Sequence, residues 1–395
     1  MPTSASPIPH RVPQWWATAL VGLPVAVLLL LVLAAFVPIP LLSIIAAGLS
    51  ARIVQVALFA MVLVGLALWL LRIAHSRGRR VIAAAALLAL AGIAVIAGRQ
   101  LALAAREGVT VDLFATLAPP TPDITPDADI DYLLFDGEPV ALSVWRPVGS
   151  AGPAPVIVIV HGGGWSEGSR LDAAPPTHAR WFADHGYLVI SVDYSLSTPT
   201  RHLWDVQEAQ IGCALVWAAA NASDYGGDIE WLGLIGDSAG GNLVLNVAAR
   251  TAAGTLTPAC PGDLPRIGAT STLYPAADPH ALYANPDPVM GSVARLYLEN
   301  YTGGSPAEYP DRYAAIDPAT HITPAAPPAL ITLGEKDHLV PPGPTLAFAA
   351  TLHSLGVEVK TIEIPHGEHV FDLEGGIGTQ VWRAATLAWF RAHGL

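Results

Sequence analysis

The chain has 395 residues, of which 52% are hydrophobic and only 13% charged, with a net charge of −12. The charged share is about half of the ordinary 25%, too low for a simple soluble domain. The acidic balance argues against nucleic acid as a partner, because that needs a basic surface.

The apolar excess is concentrated at the N-terminus. The stretches 15–37 (WWATALVGLPVAVLLLLVLAAFV), 53–71 (IVQVALFAMVLVGLALWLL) and 81–98 (VIAAAALLALAGIAVIAG) contain no charged residue. Each has the roughly 18–22 residues needed to cross a hydrocarbon core. A secretory signal would explain at most the first, and its apolar part is normally shorter. Buried core helices would show a polar stripe, which these lack. Residues 1–107 are therefore expected to be a membrane segment with helices over about 15–37, 53–73 and 81–98. The piece between the first two, "PIPLLSIIAAGLS", is apolar but broken by Pro38 and Pro40, and is expected to lie at the interface or re-enter. If it crossed instead, the topology would invert. The loop "RIAHSRGRR" (72–80) holds Arg72, Arg77, Arg79 and Arg80 and no acid, so it should stay in the cytoplasm. Everything beyond residue 98 is then extracytoplasmic. In that oxidising setting Cys213 and Cys260 could pair, but the sequence does not fix their separation, so they could equally be two buried thiols.

Next comes "LAPPTPDITPDADID" (117–131), rich in proline and acid. It reads as part of a stiff linker over 108–129. From about residue 130 to 395, strand-like runs alternate with helical patterns: "DYLLF", "ALSVWRP", "PVIVIVHG", "YLVISVDY", "WLGLIG", "ATSTLYP", "ALITLG" and "VEVKTIEIP". That alternation predicts an α/β domain with a mainly parallel sheet and helices on both faces.

The third of these strands runs into "HGGGWSEGSR", residues 161–170. Three successive glycines leave the backbone bare where a strand ends. A second cluster, Gly236-Asp237-Ser238-Ala239-Gly240, has the G-x-S-x-G form between the strand "WLGLIG" and the helix "GNLVLNVAAR". In that context it reads as a nucleophile elbow, with Ser238 lifted above the sheet. Acyl transfer puts negative charge on a carbonyl oxygen, which preorganised N–H groups must meet. The candidates are the backbone N–H groups of Ala239, Gly163 and Gly164. No Lys-Ser/Thr follows the glycines, which argues against a phosphate-binding loop. A serine needs a base, and the base needs a carboxylate. In chain order these should follow as acid and then histidine: Asp337 in "LGEKDHLVPP" and His369 in "PHGEHVFD". Glu335 and His366 are their rivals, His338 adjoins the acid, and His161 reads as a structural residue that orients its loop.

"HGGGW", "VISVDYSLS", "YGGDIEWLGLIGDSAGGNL", "APPALITLGEKDHLVP" and "HGEHVF" together resemble the α/β-hydrolase esterases, nearest the hormone-sensitive-lipase-like and feruloyl-esterase-like (BD-FAE-type) carboxylesterases. The resemblance spans residues 130–395 and favours Asp337 over Glu335 and His369 over His366. It implies a serine carboxylesterase or lipase acting through an acyl-enzyme on a small-molecule or lipid ester, with no metal or cofactor; the membrane as partner of the N-terminal helices rests on the apolar spans, which are no part of the usual catalytic domain of such enzymes. A peptidase or amidase of the same fold is the alternative, and a non-catalytic binding protein a more distant one. The stretch 277–325, where such enzymes insert a lid, is expected to be short and loop-rich. The acyl and alcohol groups and the oligomeric state are not set by the sequence.

Overall fold

The computed structural model describes residues 14–117, 123–149, 152–172, 174–372 and 375–395. The chain starts with α1 (Gln14–Phe36), α2 (Leu42–Ser50), α3 (Ile53–Ile73) and α4 (Arg77–Arg106). Three stretches, Trp15–Phe36, Ile53–Ile73 and Arg77–Arg106, are long and apolar enough to cross a membrane by length and composition. They form an up-down-up bundle. At one end Arg79 donates to the carbonyl of Leu70 (2.9 Å) and to Thr18 (3.3 Å), joining the starts of α1 and α4 to the end of α3. At the other end Gln100 donates to the Ser50 carbonyl at 3.3 Å. The short helix α2 turns the chain back at this second end; at 1.5 Å per residue it is roughly 14 Å long, under half of a hydrocarbon core.

Helix α4 is longer than the 81–98 expected from hydropathy. "RQLALAAR" continues it, because every residue there is a strong helix former, and the chain leaves the helix at Gly108 with φ 70°. The expected linker is partly regular: α5 (Leu113–Leu117) falls within it and β1 begins at Ala128, while residues 118–122 of that stretch lie outside the described residues.

Among the described residues the sheet has eight strands in the order β1-β2-β4-β3-β5-β6-β7-β8. These are β1 (Ala128–Phe135), β2 (Glu138–Trp145), β3 (Ala154–Val160), β4 (Leu188–Val192), β5 (Gly227–Asp237), β6 (Ala269–Leu273), β7 (Ala329–Gly334) and β8 (Val359–Ile364). The first two strands are antiparallel to their neighbours, and β4, β3 and β5 to β8 are parallel. Alternation along β3 sorts the two faces. Ile157 and Ile159 join a core with α6 (Ala174–Asp184) and α13 (Ile377–Ala392), whereas Val156, Val158 and Val160 join one with α7 (Gln207–Asn221) and α8 (Ser238–Ala252). The first of these cores is continuous with the bundle: Val25, Leu63 and Ile93 belong to the same cluster as Trp382 and Phe390. Cys213 on α7 and Cys260 form a disulfide, with Cα atoms 5.4 Å apart.

The 277–325 stretch is more helical than expected, holding α9 (Pro279–Tyr283), α10 (Met290–Thr302) and α11 (Pro310–Ile316). Pro279 and Pro310 start helices rather than break them, since a first-turn N–H has no partner to lose. Asp278 caps α9 by accepting from the Ala281 N–H at 2.8 Å. Helix α12 (Pro342–Ser354) follows β7.

Candidate active site

Strand β5 ends at Asp237, and Ser238 takes φ 51° as the first residue of α8. Only a crowded turn holds a serine in the left-handed region, at a cost of about 1–3 kcal/mol. The flanking glycines make the turn possible. A β-carbon on Gly240 would lie 2.2 Å from the Val160 carbonyl oxygen, and one on Gly236 would lie 2.4 Å from that of Gly240.

The strand ends bring two more side chains to this turn. His369 Nε2 lies 2.9 Å from Ser238 Oγ, and its Nδ1 lies 2.7 Å from Asp337 Oδ2. Asp337 Oδ1 accepts from the N–H groups of Leu339 (3.0 Å) and Val340 (2.7 Å), so its carboxylate is fixed in direction. With Nδ1–H committed to the carboxylate, Nε2 accepts from the serine hydroxyl. Burial disfavours the imidazolium, but the Asp337 charge and hydrogen bond outweigh it, and His369 is held above the ordinary 6.5.

The rivals have other partners. Glu335 faces Arg99 of α4 at 3.1 Å, and His366 Nε2 lies 3.2 Å from the same guanidinium. His338 Nδ1 is 2.5 Å from Glu368. His161 donates from Nδ1 to the Gly162 carbonyl (2.7 Å) and stacks on Tyr194, whose hydroxyl donates to the His161 carbonyl at 2.8 Å.

Gly164 (φ 56°) lines the same cleft as Ser238, Gly163 (φ 113°) precedes it, and both need glycine. A β-carbon on Gly163 would be 2.0 Å from the Glu167 carbonyl oxygen, and one on Gly164 would be 2.3 Å from the Tyr297 ring. Among the described residues neither N–H meets a protein acceptor. Ala239 follows Ser238 in the first turn of α8, where N–H groups lack intrahelical acceptors. A narrow apolar cleft opens beside Ser238, lined by Gly164, Trp165, Ala239, Ala276, Tyr297 and Val340 among others. A serine hydrogen-bonded to a carboxylate-oriented imidazole, beside free N–H donors and an apolar slot, can carry out acyl transfer.

Several contributors escaped the sequence reading. Glu368 accepts from the backbone N–H groups of His338 (2.7 Å) and His369 (3.0 Å), tying the acid loop to the histidine loop. Asp237 accepts from Gly162 N–H at 3.0 Å, and burial together with the Asp372 charge pushes its carboxyl up to about 7. Tyr274 leans on the His369 ring (4.4 Å) and donates its hydroxyl to Asp372. Asp372 in turn bonds His178 at 2.8 Å, and His178 Nδ1 accepts from Arg383, also at 2.8 Å. Burial and the Arg383 charge push His178 down to about 4, so it is a neutral link. "HGEHVFD" does put Glu368 and Asp372 beside His369, but only the fold brings Tyr274, His178 and Arg383 to them.

Sheet order, strand-to-helix elbow and strand-end side chains together define the α/β-hydrolase class. Solved structures agree at the level of fold. Esterase B from Lactobacillus rhamnosis has a TM-score of 0.56 and 22% identity, covering 76% of this chain and 94% of that one. A truncated carbohydrate esterase from gut microbiota has a TM-score of 0.58 and 19% identity, covering 69% and 98%. The family model described as BD-FAE matches residues 142–352, more than half of the chain, and the chain belongs to that family. Among curated relatives, esterase LipQ of Mycobacterium tuberculosis is 30% identical over 247 residues, 61% of this chain and 56% of its own length. The probable carboxylic ester hydrolase LipM of the same organism is 30% identical over 260 residues, 64% of this chain and 58% of its own. The matched region thus spans less than two thirds of either relative.

Proposed function

We propose that this protein is a membrane-anchored serine carboxylesterase whose catalytic domain faces outward. The observation that carries the reading is the unbroken hydrogen-bonded chain Ser238–His369–Asp337 at 2.9 and 2.7 Å. Membership of the BD-FAE family and similarity to esterases support the ester as substrate.

In the reaction, His369 Nε2 takes the Ser238 proton as Oγ attacks the ester carbonyl. Asp337 holds the imidazole and stabilises the imidazolium. The N–H groups of Gly163, Gly164 and Ala239 receive the oxyanion. The imidazolium returns its proton to the departing alkoxide, leaving an acyl-serine. Water, deprotonated by His369, then releases the carboxylic acid and restores Ser238.

Anchoring rests on α1, α3 and α4, whose outward faces expose Leu20, Leu23, Val62, Trp69 and Leu88. A disulfide suits an oxidising compartment, and the basic 72–80 loop favours the cytoplasm for the opposite end.

Hydrolysis of p-nitrophenyl esters of increasing acyl length by the full chain, with Ser238→Ala as control, tests this function. Turnover that disappears in Ser238→Ala is expected, and its dependence on acyl length separates a small-ester enzyme from a lipase. Cleavage of peptide but not ester substrates would move the assignment to the amidase alternative.

A further inference from the structure

The N-terminal bundle does more than adjoin the catalytic domain; it grips the two loops that carry Asp337 and His369. Arg99, near the end of α4, sends Nη1 to Glu335 Oε2 at 3.1 Å and Nη2 to Glu335 Oε1 at 3.3 Å, a two-pronged contact. The same Nη1 donates to His366 Nε2 at 3.2 Å. Glu335 also accepts from the His366 backbone N–H at 3.0 Å, so one guanidinium and one carboxylate lock the two loops together. Glu335 stands two residues before Asp337, and His366 three before His369.

Neighbouring contacts reinforce the grip. Gln100, buried one residue further along α4, donates to the Pro365 carbonyl at 3.1 Å as well as to Ser50. Phe36, the last residue of α1, sets its ring edge-on to His366 with centroids 5.0 Å apart. His366 itself has φ 56°, a conformation a non-glycine residue keeps only where its surroundings enforce it. Burial, with the Arg99 charge, keeps its imidazole below the ordinary value, as a neutral acceptor for Arg99. Burial alone would raise Glu335, but the His366 N–H and Arg99 more than offset it and hold its carboxyl ionised.

We propose that Arg99 is a positioning residue: through Glu335 and His366 it sets the distance between the Asp337 and His369 loops, making the helical bundle part of the active-site scaffold. This rests on the serine-esterase reading above. It does not depend on which membrane holds the bundle, because every contact is within the chain. The Arg99–Glu335 pair is partly exposed, with side chains 48% and 28% accessible, so its worth to overall stability is small. Its effect is on geometry, and displacement of a catalytic group by about 1 Å can cost up to ~100-fold in rate.

The test uses the full chain in detergent, with wild type, Arg99→Ala, Arg99→Lys and Glu335→Gln compared after titration of active sites by a phosphonate. Arg99→Ala is expected to lower kcat per active site about tenfold with KM nearly unchanged. Weaker hold on Asp337 also lowers the pKa of His369, so the acid limb of the pH–rate profile should move to lower pH. Arg99→Lys keeps the charge but loses the fork, and is expected to recover part of the rate. Glu335→Gln keeps the shape and should reproduce the loss even if Arg99→Ala folds poorly. Unchanged kcat per active site and an unchanged pH profile in both Arg99→Ala and Glu335→Gln would overturn the proposal. Absence of ester turnover by wild type would instead count against the esterase reading itself.

Discussion

His369 is where charge and geometry meet. Its pKa is raised because Asp337 favours the imidazolium more than burial penalises it. The proposed mechanism uses the neutral ring as base, so the rate should rise with pH through an acid limb above the ordinary 6.5. Replacing Asp337 by Asn removes the negative charge, lets the His369 pKa fall and permits the wrong tautomer. The acid limb of kcat/KM should then shift to lower pH, and kcat should drop by about 10³–10⁴. An acid limb that stayed put in Asp337→Asn would detach the carboxylate from the base. Glu368 is a gentler case. It accepts the N–H groups of His338 and His369 and faces the His338 ring, so Glu368→Ala should lower kcat by about tenfold with little change in KM. At this scale chain order and a named turn were enough to single out Ser238, Asp337 and His369, which the fold brings within hydrogen-bond reach of one another. The sequence was silent where the role depends on a distant partner: Glu335 and His366 resemble spare catalytic groups until Arg99 of α4 is seen between them.

Among the elements, the glycine loop after β3 and the elbow after β5 carry the strongest constraints. Gly164 has φ 56°, and a β-carbon there would sit 2.3 Å from the Tyr297 ring. Gly164→Ala should therefore displace the loop and its N–H groups, with a loss of about 10²–10³ in kcat measured on a short-chain ester. The strands β3 to β8 were legible because apolar runs between helical patterns have few other interpretations. The helices α9 and α10 were not, because proline and glycine within residues 277–304 suggest loop until the packing is known. The length of α4 was also hidden: hydropathy falls at Arg99, whereas helix propensity does not. The disulfide ties α7 to the segment after α8 across a sequence separation of 47 residues. Cys213→Ser should lower stability by about 2–4 kcal/mol, read as a lower denaturation midpoint than wild type under non-reducing conditions. Equal midpoints would show that the bridge contributes nothing to folding.

For the whole molecule, three apolar helices and an α/β domain share one continuous core cluster. Composition alone separated the two parts but treated the first as an anchor and nothing more. Their polar contacts could not be inferred, because they rest on two adjacent side chains, Arg99 and Gln100, that follow the apolar stretch of α4. The proposed topology puts the 72–80 loop in the cytoplasm and the catalytic domain outside. In intact cells, protease added from outside should cut the catalytic domain, and a cysteine introduced at Ser76 should resist a membrane-impermeant thiol reagent. Labelling at Ser76 with a protected catalytic domain would invert the topology.

Every step of the proposed reaction starts from Ser238 as a nucleophile driven by His369. The most direct measurement is the intact mass of the purified full chain after exposure to a p-nitrophenyl alkylphosphonate, followed by peptide mapping. One adduct per chain on Ser238, absent from Ser238→Ala and much slower to form in His369→Ala, is the predicted result. A wild-type chain that stays unmodified, or a Ser238→Ala chain that labels equally well, would contradict it.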